Sequence, residues 1–170
     1  MSGQMRKGGL FAAAAAMLCV SMPAHAVMGC WNPTQVAAAK VRDLQSRLMV
    51  ATLRCQAMGA DVSGAYNGFV RANRATIQGA NAVLLAQCRT GFGDNQGLTQ
   101  YDRFATALAN FYGADATDAA VCAETGALAD EAAGANGDIG QLVAIEDRFG
   151  FSSDLPGGQC GYSFASAESN

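Results

Sequence analysis

The sequence predicts an all-α fold, an antiparallel helical bundle of four main helices plus a short fifth, stapled by disulfides. Three observations carry that expectation. Apolar residues recur at alternating spacings of three and four along four segments, the period of one helix face, and a short fifth segment follows. Sustained apolar–polar alternation of the strand type is missing, and β-branched residues are sparse. Five cysteines follow residue 26 with no Cys-x-x-Cys pair among them, a usage that favours disulfides over a redox motif or a zinc knuckle.

The first helix opens at Pro33-Thr34 behind Asn32, a capping residue with proline in the first turn, and runs to Met58 before Gly59. Val41, Leu44, Leu48, Ala51, Cys55 and Met58 form its apolar stripe, while Lys40, Asp43, Arg47 and Arg54 lie off it. The second spans about Ser63 to Arg89, with Tyr66, Val70, Asn73, Ile77, Ala80 and Leu84 inward and Gly91-Phe92-Gly93 as the stop. The third covers about Leu98 to Tyr112, with Tyr101, Phe104, Leu108 and Phe111 on one face. The fourth runs from Thr117 to about Ala133, burying Val121, Thr125, Leu128 and Ala132. Asp115 and Asp118 suit the positive end of its dipole. A short fifth, Ile139 to Phe149, is expected to bury Leu142, Val143 and Phe149. Residues 150–170, with Pro156-Gly157-Gly158, have no period and read as an irregular tail. Connections of 4–10 residues are what an up-down bundle uses.

Residues 1–26 read as a secretory signal peptide. Arg6 and Lys7 precede the apolar run Leu10–Val20, Pro23 ends it, and Ala24-His25-Ala26 has the small-x-small pattern of a cleavage site. The run is shorter than the roughly 20 apolar residues that span a bilayer, which disfavours a membrane anchor. Met28 fits poorly in a lipoprotein site ending at Cys30. The expected exported chain is Val27–Asn170, with the bundle over residues 27–149, in a periplasmic or secreted setting. That chain carries 9 basic and 14 acidic side chains, a net charge of −5, and a single lysine, Lys40. Such an acidic balance excludes nucleic acid as a partner class. The charge is split, +4 over residues 27–103 and −9 over 104–170. Halves of opposite sign more often complement each other within one fold than advertise a partner, and that is the reading favoured.

The bundle topology sorts the cysteines. Cys55 closes the first helix at the end where the fourth begins, beside Cys122. Cys30 precedes the first helix and Cys160 lies on the tail, so this pair would tie the termini together. Cys88, at the far end of the second helix, is left over. Cys30–Cys88 with a free Cys160 is the competing arrangement. Closing the 67-residue loop between Cys55 and Cys122 is worth about 4 kcal/mol on the chain-entropy model.

Catalytic, cofactor-binding and metal-ligating residues are not indicated. The lone histidine, His25, falls in the segment expected to be removed. That takes away Ser-His-Asp and Cys-His nucleophile arrangements and His-based zinc, haem or iron sites. No phosphate-binding Gly-rich loop follows a strand. Asp130-Glu131 and Glu146-Asp147 are neighbours that point about 100° apart on a helix and read as solvated surface. Asn136-Gly137-Asp138 has a calcium-loop look, but its spacing to Glu146 fails the EF-hand pattern, so a helix-joining turn is expected. The patterned polar feature is on the second helix, where Asn67, Arg71, Arg74, Gln78 and Asn81 form a stripe. It reads either as a groove for an anionic or peptide ligand or as a seam paired with Asp118, Glu124 and Glu131 of the acidic fourth helix, the seam being favoured.

Three segments, Val41-Arg42-Asp43-Leu44-Gln45, Tyr66-Asn67-Gly68-Phe69-Val70-Arg71-Ala72-Asn73-Arg74 and Tyr101-Asp102-Arg103-Phe104, resemble an uncharacterised family of small exported α-helical proteins from α-proteobacteria. The resemblance implies an exported bacterial protein and supplies no catalytic residue. Some members carry the label S-adenosylhomocysteine hydrolase, but this chain lacks that enzyme's nucleotide-binding fingerprint. The expected function is a non-enzymatic exported interaction module whose partner is an envelope protein or peptide. A carboxylate-dependent cell-wall hydrolase and a purely structural envelope protein are the alternatives.

Overall fold

The computed structural model describes residues 29–150 and 155–160; the expected signal peptide and the end of the tail lie outside the described residues. Six helices make an all-α bundle: α1 Pro33–Ala57, α2 Ser63–Ala72, α3 Arg74–Phe92, α4 Asp94–Gly113, α5 Ala119–Gly134 and α6 Ile139–Asp147. α1 starts where its cap dictates. Asn32 Oδ1 accepts from the Gln35 amide at 3.0 Å, and Gln35 Oε1 accepts from the Asn32 amide at 2.8 Å, a reciprocal capping box with Pro33 at the first turn. Asp118 and Asp138 are the side-chain N-caps of α5 and α6, accepting from the Val121 amide and from the Gly140 and Gln141 amides. Gly97 brings α3 and α4 together, because a Cβ there would sit 2.6 Å from Arg89 Cα.

α1 is the central helix and packs against all five others. Its buried Val41, Leu44 and Leu48 meet Phe69 of α2, Ile77, Ala80 and Leu84 of α3, Ala129 and Ala132 of α5 and Leu142 of α6. Cross-links fix the directions. Gln35 Nε2 donates to Gln87 Oε1 at 2.6 Å, joining the start of α1 to the end of α3. Arg54 Nη1 donates to the Tyr112 carbonyl at 2.8 Å, joining the ends of α1 and α4. The Cys55–Cys122 disulfide joins the end of α1 to the start of α5. Thus α3 and α5 run against α1, and α4 runs with it.

The second disulfide is Cys30–Cys160, leaving Cys88 as the free, buried thiol among the described residues. It closes a strap. Trp31 donates its amide to the Gly158 carbonyl at 2.8 Å and its indole Nε1 to the Pro156 carbonyl at 2.8 Å, and its own carbonyl accepts from the Cys160 amide at 2.9 Å. Trp31 is thereby buried in the core cluster although it lies outside every helix.

Two expectations need correction. The segment from Ser63 to Arg89 is not one helix, because Asn73 divides it into α2 and α3 (φ −110°, ψ 19°). Its side chain competes with the helix ladder. Nδ2 donates to the Phe69 carbonyl at 3.0 Å and the Ala132 carbonyl at 2.8 Å, and Oδ1 accepts from the Gly137 amide at 2.7 Å. That last amide belongs to the Asn136-Gly137 turn, where φ is positive at both residues, so the Asn-Gly-Asp segment is the helix-joining turn expected of it. The other correction concerns helix tips. Met58, Phe111 and Phe149, placed inward by their spacing, are 54%, 53% and 48% exposed. At the end of α4 the neighbouring Tyr112 takes the inner position instead.

Candidate binding cleft

The Cys55–Cys122 end of the bundle is incompletely closed. A cleft of about 240 Å³ opens there between the second half of α1, the α4–α5 loop, the first half of α5 and the end of α6. Arg47, Leu48 and Arg54 line it from α1, Tyr112 and Asp115 from the end of α4 and the loop beyond, Glu124 and Leu128 from α5, and Phe149 from the turn after α6.

Beneath it lies a buried ionic cluster. Asp43 of α1 and Glu146 of α6 are both fully buried. Tyr112 donates its hydroxyl to Asp43 Oδ1 at 2.6 Å, and Arg47 Nη2 donates to Glu146 Oε1 at 3.0 Å. The Arg47 guanidinium is held between two rings, 4.8 Å from the Tyr112 centroid and 4.9 Å from that of Phe149, the geometry of a cation–π clamp. Burial pushes the Glu146 carboxyl up to about 7. Arg47 pulls it down without cancelling that shift, and the neighbouring Asp43 carboxylate pushes it further up. Glu146 Oε2, Arg47 Nε, Ser46 Oγ and Thr52 Oγ1 are buried with no hydrogen-bond partner. This is a partly satisfied polar network under an open surface.

The expectation of solvated surface holds for Asp130 and Glu131 but not for Glu146. Glu131 is exposed and pairs with Arg148 at 2.6 Å. Glu146 follows Leu142 by one helical turn and faces α1 with it, while Asp147 turns outward to pair with Lys40. The two buried carboxyl groups touch each other and present no face to a substrate, unlike the separated pair of a glycosidase. Among the described residues no group of three or more His, Cys, Asp or Glu could hold a metal ion, and no helix is long and apolar enough to cross a membrane.

The polar stripe lies elsewhere, on α2 and α3. Asn67, Arg71, Arg74 and Gln78 are exposed, and Asn81 is half-buried with its Oδ1 unpartnered. The three ion pairs of the described residues join Lys40 to Asp147, Arg47 to Glu146 and Arg148 to Glu131. Neither Arg71 nor Arg74 takes part, so the expected seam with Asp118, Glu124 and Glu131 is replaced by an open face. The break at Asn73 falls between the two arginines and sets Arg71 and Arg74 on separate helices.

Sequence reasoning missed the cleft and its buried cluster. The readable signals were Asp43 and Arg47, four residues apart beside the apolar stripe of α1, and Glu146 in register with Leu142. No protein-family model, curated protein or solved structure matches this chain.

Proposed function

We propose that this chain is a non-enzymatic binding module that works outside the cytoplasm and recognises its ligand through the cleft at the Cys55–Cys122 end. The observation that carries the reading is the cleft itself, an opening of about 240 Å³ whose walls combine apolar, aromatic and charged side chains from α1, α4, α5 and the segments that follow α4 and α6. Binding sites have that mixture: apolar area for affinity and a few placed polar groups for orientation. Export is supported by the signal-peptide pattern of residues 1–26 and by two disulfides, which persist in oxidising compartments. The Asp43–Glu146 pair is not available to a cell-wall hydrolase, since neither carboxyl reaches the surface, and the carboxylates that do line the cleft are Asp115 and Glu124.

A second reading rests on the stripe. Arg71 and Arg74 are exposed and outside every ion pair of the described residues, which suits contact with an acidic protein surface. Retention of envelope material on the immobilised, oxidised protein separates the two. Arg54→Glu should abolish retention and Arg71→Glu/Arg74→Glu should leave it intact. The reverse pattern assigns recognition to the stripe.

A further inference from the structure

The cleft holds charges of both signs that do not meet. Arg54 is half-buried, and its one hydrogen bond among the described residues goes to the Tyr112 carbonyl, leaving most of its five N–H donors unused. It lies within 4.0 Å of no described carboxylate. Glu124 on α5 and Asp115 on the α4–α5 loop line the same cleft, both exposed and both outside the ion pairs. Arg47 is a different case, because its guanidinium is clamped between two rings and directed down to Glu146. Arg54 is therefore the cation the cleft offers, and Glu124 with Asp115 the anions. Ala51, Val121 and Leu128, each partly exposed, supply apolar area in the same cleft.

We infer that the cleft takes a small zwitterion of the free amino-acid or dipeptide class, its carboxylate on Arg54 and its ammonium on Glu124 and Asp115. The inference rests on the proposed binding role of this cleft. An anion alone would meet Arg54 but be repelled by the two carboxylates, and a cation alone would meet the converse. A ligand carrying both charges satisfies both kinds of group and places its side chain on the apolar lining. The volume fits such a ligand, being below the roughly 300–1,000 Å³ of pockets for drug-sized molecules. The planar fork of arginine matches a carboxylate with two parallel hydrogen bonds.

Isothermal calorimetry on the oxidised protein tests this with phenylalanine, glutamate and the dipeptide Ala-Ala, each also as its N-acetyl and C-terminal amide form. A free zwitterion should bind, and each blocking group should weaken it by about tenfold or more. Arg54→Gln should erase the preference for the free carboxylate, and Arg54→Lys should keep part of it. Glu124→Gln/Asp115→Asn should erase the preference for the free amine while the acetylated form binds as before. Blocked forms binding as tightly as free ones would overturn the inference. So would absence of heat with every probe. In that case, envelope material still lost on Arg54→Glu would leave the cleft as the binding surface for another ligand class, and unchanged retention would remove both readings.

Discussion

Two buried polar clusters hold neighbouring helices together, and they are built to different standards. At the seam of α2, α3 and α5, Asn73 is fully buried and its side-chain amide makes three hydrogen bonds, reaching one carbonyl on α2, one on α5 and the amide of Gly137. At the seam of α1 and α6, Glu146 is equally buried, yet one of its oxygens and the Nε of its partner Arg47 have no partner. A satisfied network locks one arrangement, whereas an incompletely satisfied one stays responsive to protons and neighbours. The satisfied cluster lies under closed helix packing, and the responsive one lies under the cleft. The contrast separates where the fold is pinned from where a buried carboxyl stays open to protonation.

The largest expected effect lies on the pinned side. Asn73→Ala removes three hydrogen bonds at once, leaving the Gly137 amide without its partner and the Ala132 carbonyl with only the 3.3 Å bond from the Ala135 amide. Stability should fall by about 3–4 kcal/mol, read from urea denaturation at constant slope. A loss below about 1 kcal/mol would mean that Asn73 follows the helix break and does not cause it.

The next effect belongs to the responsive side and depends on pH. The folded protein holds the Glu146 proton up to about pH 7, whereas the unfolded chain releases it near 4.5. The folded state thus binds more protons between those values, and stability should decline as pH rises from about 4.5 to 7, then level off. The decline is at most about 3 kcal/mol from this group. Glu146→Gln, a permanent mimic of the protonated form, should flatten that decline and be the more stable protein at pH 8. A variant that keeps the wild-type slope would place the titration elsewhere. The exposed stripe offers the smallest effect. Because Arg71 and Arg74 make no ion pair among the described residues, Arg71→Gln/Arg74→Gln should change stability by no more than about 0.5 kcal/mol, with no salt dependence. A drop of several degrees in Tm that high salt removes would restore the seam.

The same contrast marks what could be read from the chain. Apolar periodicity located the helical segments, two of the six helices being read as one, and topology put Cys55 beside Cys122 because both sit at helix ends, while for Cys30 it favoured Cys160 over Cys88. Asn73 escaped because the 3.6-residue period passes through a one-residue break unchanged, so the inward placement was right while the continuity was not. Glu146 escaped because adjacent carboxylates look alike until a partner helix chooses between them. Trp31 has no period to announce it, since its burial is made by a strap arriving from residue 155 onward. The cleft is a relation among the ends of four elements, which no local pattern encodes.

Amide chemical-shift mapping of the oxidised protein during titration with envelope extract tests the placement of function most directly. Shifts should concentrate at Arg54, Asp115, Glu124 and Phe149, with Asn73 and Gly137 unmoved. Shifts confined to Asn67, Arg71, Arg74 and Gln78, with the cleft silent, would contradict it.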